Sequence, residues 1–175
     1  TAPWGLSVLV SPEHGFLFWT PLALVALAGL FFVRERIVAL ALALMALSQV
    51  YVAGSVASWT VAGAFGQRRF VCLTVVLVIG LAALWNRVRG EQAPATAGSR
   101  IPMYAVTALV VLCTWWNVAL IAQFATRLMD RQRLEPARNA YHAFVTLPIQ
   151  GPSLIYRYLT DRSSFYESRP AGADR

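Results

Sequence analysis

The chain contains no lysine; all fifteen of its basic residues are arginine. With so much alanine and valine around them, that bias reads as the mark of a GC-rich genome and carries no function. Charge of either sign is scarce, at 13% of residues, where a soluble domain holds about a quarter. No charged residue occurs between Arg36 and Arg68, or between Arg69 and Arg87. Charge-free runs of that length exclude an ordinary soluble domain and predict an all-α integral membrane protein. Only two histidines are present, His14 and His142, both outside the apolar runs. A transmembrane bis-histidine haem site is therefore unavailable within this chain. The two cysteines, Cys72 and Cys113, each fall inside an apolar run and read as small hydrophobes.

Other absences narrow the chemistry. There is no Cys/His metal spacing, no glycine-rich phosphate loop, no Ser-His-Asp set and no His-Glu-x-x-His. The acids Glu13, Glu35, Glu91, Asp130, Glu135, Asp161 and Glu167 are scattered over loops and tail, which leaves paired-carboxylate catalysis without a home. None lies inside an apolar run, which argues against an ion or proton pathway. No catalytic residue, metal ligand or cofactor is assigned on this basis. The net charge of +7 suits anionic membrane lipids; nucleic acid is a poor partner for a chain with no soluble basic domain.

What is present divides into a bundle and a tail. Residues 1–124 predict four transmembrane helices, near 16–33, 37–59, 70–85 and 103–124, with both termini on one side of the membrane. Residues 1–15 read as a loop or short interfacial segment. Trp4, Trp19 and Trp59 are expected as interfacial anchors, because indole combines an apolar body with a polar N–H. Pro21 falls in the first turn of the first helix, where proline is tolerated. Ala39, Ala43 and Ala46, then Ala53-x-x-x-Ala57 and Gly54-x-x-x-Ser58, predict close helix packing in the second. Gln49, near the middle of that helix, is expected to bond another helix. Trp115, Trp116 and Asn117 sit too deep in the fourth helix for an aromatic belt and predict packing or ligand contact.

Asn86–Pro102 has the composition of a flexible linker. The tail, residues 125–175, carries eight of the fifteen arginines. It predicts two short amphipathic helices on the membrane or on a neighbouring subunit. The first starts at Pro136, presents Ala137, Ala140, Tyr141, Phe144 and Val145 on its apolar face, with Arg138, Asn139 and His142 opposite, and ends at Pro148. The second restarts at Gly151-Pro152-Ser153. The start at Thr1 reads as the interior of a longer or processed protein, and no signal peptide is visible.

Arg68 and Arg69 stand out. Gly63 and Gly66 loosen the chain before them, and the pair then opens the next helix. Cations at a helix N-terminus are opposed by the helix dipole. An adjacent anion relieves that misfit, and a guanidinium fork matches phosphate. A lipid phosphate or an acidic partner side chain is the expected contact; the alternative is that both arginines merely anchor at headgroup level. Counting arginines on the two sides gives five against six, which leaves the orientation open.

Two stretches carry a family resemblance. Ser11-Pro12-Glu13-His14-Gly15-Phe16-Leu17-Phe18-Trp19-Thr20-Pro21 and Phe65-Gly66-Gln67-Arg68-Arg69-Phe70 resemble the later transmembrane part of bacterial GT-C-type glycosyltransferases, relatives of protein O-mannosyltransferases and aminoarabinose transferases. The resemblance covers Ser11 to Trp85. It implies a polyprenyl-phosphate-sugar donor, a bacterial inner-membrane location, and a periplasmic face holding residues 1–15, the Arg68–Arg69 loop and the tail. Catalytic carboxylates of that family sit in a first extracytoplasmic loop, and nothing in this chain matches that loop. The chain as given is therefore expected to be a non-catalytic structural membrane subunit that binds lipid and bridges other membrane subunits. The alternative is the C-terminal membrane portion of an intact glycosyltransferase.

Overall fold

A computed structural model describes residues 4–60, 65–90, 103–130, 133–161 and 163. The described residues are helical and contain no strand. In chain order the helices are α1 (Gly5–Val10), α2 (Phe16–Trp19), α3 (Pro21–Gly29, extended by a 3-10 turn Leu30–Phe32) and α4 (Arg36–Gly54). After them come α5 (Thr74–Arg89, preceded by a 3-10 turn Arg68–Leu73), α6 (Met103–Ala125), α7 (Pro136–Tyr141) and α8 (Leu147–Thr160). Three helical runs are long and apolar enough to cross a membrane: Arg36–Gly54, Arg68–Arg89 and Met103–Ala125.

The fourth expected crossing, 16–33, is not a continuous helix. Its core, Pro21–Phe32, is a shorter apolar helix, and the chain breaks ahead of it at Thr20 (φ −133°, ψ 70°). Pro21 explains the break, because its ring drives the preceding residue out of the α region. Helix α3 lies against α5 at a backbone-to-backbone crossing. A Cβ on Gly29 would strike the Gly80 carbonyl, and one on Gly80 would strike the Ala26 carbonyl. One close helix approach is thus Gly29–Gly80; of the small residues expected to pack in the second helix, Ala53 and Gly54 are buried. There α4 ends at Gly54, leaving Ala57 and Ser58 exposed in a turn. Gly54 instead admits α1, since a Cβ there would stand 2.7 Å from the Gly5 nitrogen. Trp4 N–H bonds the Gly54 carbonyl at 3.0 Å, closing the same contact.

The third and fourth expected helices run slightly longer than the sequence suggested. Asn86–Arg89, assigned to the linker, continues α5 until Gly90 takes a left-handed φ of 84° and ends it. Arg89 lies 5.0 Å over the Trp85 ring, which keeps the last turn folded. The rest of the linker, from residue 91 to 102, lies outside the described residues, as do Gly63 and the end of the tail from residue 164.

The tail differs most from expectation. Pro148 does not end a helix: α7 continues through a π turn, His142–Thr146, directly into α8. Leu147 N–H reaches back to the His142 carbonyl, and Pro148 has no N–H to offer. The Ala143 carbonyl is thereby left without a backbone donor, and Trp115 Nε1 supplies one from α6 at 3.2 Å. Asn139, read on the polar face, is enclosed together with Ala143 and Leu147, while Tyr141, Phe144 and Val145 of the expected membrane- or partner-facing side are open. The cause is a buried amide pair: Asn139 Nδ2 donates to Gln123 Oε1 at 3.0 Å, and Gln123 Nε2 donates to the Asn139 carbonyl at 3.2 Å. A polar residue with its partner in place is buried ahead of the apolar ones beside it.

Candidate functional site

The two stretches singled out in the sequence, far apart along the chain, fold against each other. Ser11–Gly15 forms a tight turn in which Gly15 N–H bonds the Ser11 carbonyl at 2.7 Å. No larger residue fits at Gly15, because a Cβ would collide with the Ser11 backbone. Gln67 clamps this turn from the second stretch. Its Nε2 donates to the His14 carbonyl at 3.3 Å and to the Trp59 carbonyl at 2.9 Å. Phe16 stacks on Phe70 at 4.4 Å between centroids. Gly66 takes φ 53°, and a Cβ added there would stand 3.5 Å from the Trp19 side chain.

Trp19 is the centre of the arrangement. It was expected at a lipid interface, yet it is fully enclosed, with Nε1 donating to the Glu13 carbonyl at 3.1 Å. Its ring stacks on His14 at 5.7 Å and meets Phe65 edge-on at 5.2 Å; Phe65 meets Phe124 at 5.4 Å. The break at Pro21 gives this cluster its link to α6. A helix starting at Pro21 leaves the Phe18 and Trp19 carbonyls without helical donors. Trp116 Nε1 and Asn117 Nδ2 bond them at 3.3 and 2.8 Å. Side chains from α6 thus re-satisfy the freed backbone, and this accounts for Trp116 and Asn117 within the fourth expected helix. Among the other expected anchors, Trp59 is buried and Trp4, exposed, stacks on it at 6.1 Å.

Besides Gln67 Oε1, two further buried polar groups in this cluster have no partner. The His14 ring is 1% exposed, and neither Nδ1 nor Nε2 makes a hydrogen bond. Burial pushes its pKa below the ordinary imidazole value, against a smaller opposing effect of Glu13. The ring lines a cavity of about 430 Å³ together with Glu13, Thr60, Asp130 and Arg133. The residues after α6 cover it: Leu134 N–H bonds the Pro12 carbonyl at 2.8 Å, and Met129 and Leu134 pack on Trp19.

The second group is Arg69. Its Nη2 donates to the Ser58 carbonyl at 3.0 Å, and its Nη1 is enclosed without a partner. Gln49, expected to bond another element, donates to the Arg69 carbonyl at 2.9 Å. Arg68 is exposed, and the pair opens a helix as expected. Among the described residues no three metal-binding side chains gather.

His14, Gln67, Thr60, Asp130 and Arg133 were not nominated from the sequence. The only signal for them was that His14 and Gln67 sit inside the two resembling stretches; Asp130 and Arg133 carry none. No protein-family model, curated protein or solved structure matches the chain.

Proposed function

We propose that this chain is the carrier-binding membrane portion of a polyprenyl-phosphate-sugar-dependent glycosyltransferase, with its phosphate-bearing ligand held where the Ser11–Gly15 turn meets the Phe65–Phe70 segment. The observation that supports this reading is the set of buried, unpartnered polar atoms at that junction, on His14, Gln67 and Arg69. A buried donor or acceptor without a partner costs about 1–3 kcal/mol. A packing subunit gains nothing from them, whereas a polar ligand would supply partners. The neutral imidazole supplies one N–H, and the guanidinium supplies charge-assisted donors. An apolar cleft of about 490 Å³ between α6 and α8, lined by Trp115, Ala119, Leu147 and Leu154, offers room for an isoprenoid chain. Under this reading the chain contributes carrier binding and no catalytic carboxylate. It lies in a bacterial inner membrane with the site on the periplasmic face, and Pro21–Phe32 completes a fourth, shorter membrane element.

The structural-subunit reading has one observation in its favour. The three long helices are only 22%, 28% and 22% enclosed, so lipid or neighbouring subunits cover the rest. Binding of a polyprenyl phosphate to the protein in nanodiscs separates the two readings. His14→Ala and Arg69→Ala should each weaken binding about 10-fold, equivalent to about 1.4 kcal/mol, and Trp4→Ala should leave it unchanged. Equal affinity in all four proteins would sink the carrier reading and leave the structural subunit.

A further inference from the structure

Three alanines of α4 face α3 across a gap. Ala39, Ala43 and Ala46 line one wall of a cleft of about 750 Å³ whose other wall is Leu24, Leu27 and Ala28 of α3. Helix α4 touches the Leu30–Phe32 turn at one end and α1 at the other, so the cleft is a window closed at both ends and open along its side. Small side chains on one wall leave space that no group of this chain fills. The lining is apolar along its length except at one end, where Arg34 and Arg36 stand at the mouth. The N-terminus of α4 lies at the same mouth and adds its partial positive charge.

We propose that this cleft is a binding site for an anionic glycerophospholipid, with an acyl chain between α3 and α4 and the phosphate at Arg34 and Arg36. The distribution of polarity selects that ligand. A long apolar slot would accept any acyl chain, whereas two guanidinium groups at its end discriminate for a negative headgroup. A transmembrane helix of a partner is a poorer occupant, because both walls belong to this chain and converge at the two ends. The arginine mouth sits at the end of α4 opposite Gly54, while the apolar part of the cleft runs toward Leu9, Leu17 and Val50. Neither Arg34 nor Arg36 belongs to the proposed carrier site, and the lipid site would serve a catalytic or a structural protein equally.

The test uses the full chain reconstituted in equimolar phosphatidylglycerol and phosphatidylcholine, extracted in mild detergent and weighed by native mass spectrometry. One lipid should remain bound, with phosphatidylglycerol favoured about 5-fold or more. Ala43→Trp, and the milder Ala39→Leu, should empty the cleft and strip that lipid, with helical circular dichroism unchanged. Arg34→Gln with Arg36→Gln should keep a lipid but bring the preference close to one. Retention of the lipid in both cleft-filling variants, or an undiminished preference in the double arginine variant, would overturn the proposal. Loss of a dimer with Ala43→Trp while lipid stays bound would also overturn it, by showing that a helix is the occupant.

Discussion

The loop cluster around Trp19 and the outer face of α4 are built by opposite rules. In the cluster, aromatic rings are enclosed and side-chain amides and indoles bond backbone carbonyls across large sequence separations. On α4, Ile37, Leu40, Leu44 and Leu47 are all exposed, and the described side-chain bonds of Ser48 and Gln49 are the departures from an apolar surface. The membrane helices need only be apolar, since each satisfies its own backbone. The cluster needs particular residues, because a broken helix and a tight turn leave carbonyls that only certain side chains reach. Specificity in this protein therefore resides in the loops, and the helices hold them at a fixed spacing.

The largest effect expected from that contrast is on Trp19. Trp19→Ala empties a fully enclosed site and should cost about 3–5 kcal/mol. Leu40→Ala on the exposed face should stay within about 0.5 kcal/mol. Denaturant unfolding in detergent followed by tryptophan-independent circular dichroism measures both, and equal losses would erase the distinction. Next is a place where the helices themselves demand a particular residue. Gly80→Val forces a side chain against the Ala26 carbonyl and should cost about 3 kcal/mol, the upper end for overpacking because a backbone must move. A thermal midpoint unchanged by Gly80→Val would mean that α3 and α5 do not meet there.

Asn117→Ala removes the donor to the Trp19 carbonyl and should cost about 1–2 kcal/mol; the same change at half-buried Thr107, whose hydroxyl bonds its own helix, should cost far less. The smallest effect is a pH slope. Burial lowers the His14 pKa, so the unfolded chain takes up this proton at higher pH than the folded one. Stability should be full above the ordinary imidazole value of about 6.5, fall as the pH drops below it, and level off once the folded-state ring protonates. His14→Gln should abolish that slope in unfolding midpoints measured across the range.

The contrast also explains what the sequence made legible. Charge-free runs mark Arg36–Gly54, Arg68–Arg89 and Met103–Ala125 within a few residues, because hydropathy alone decides them. It overreached at 16–33, where composition is apolar but Thr20-Pro21 breaks the backbone, and at the tail, where Pro148 follows a π turn into the first turn of α8. The burial of Asn139 was not legible, because it finds Gln123 from another helix, a pairing with no local sequence signature. Trp19 looked like an interfacial anchor for the same reason: nothing near it in the chain shows that Phe65, Leu120 and Leu134 will close over it. Gln49 and the opening of a helix at Arg68 were readable, since a lone polar group in an apolar run has few other uses.

The account turns on the junction of the two loops being where a phosphate-bearing lipid docks. A polyprenyl phosphate carrying a diazirine next to its phosphate, photolysed with the reconstituted protein and mapped by peptide mass spectrometry, addresses that most directly. Labels should concentrate on Glu13–Trp19 and Phe65–Phe70 and be competed away by unlabelled polyprenyl phosphate. Labels confined to the exposed face of α4, or spread without competition over all three long helices, would contradict it.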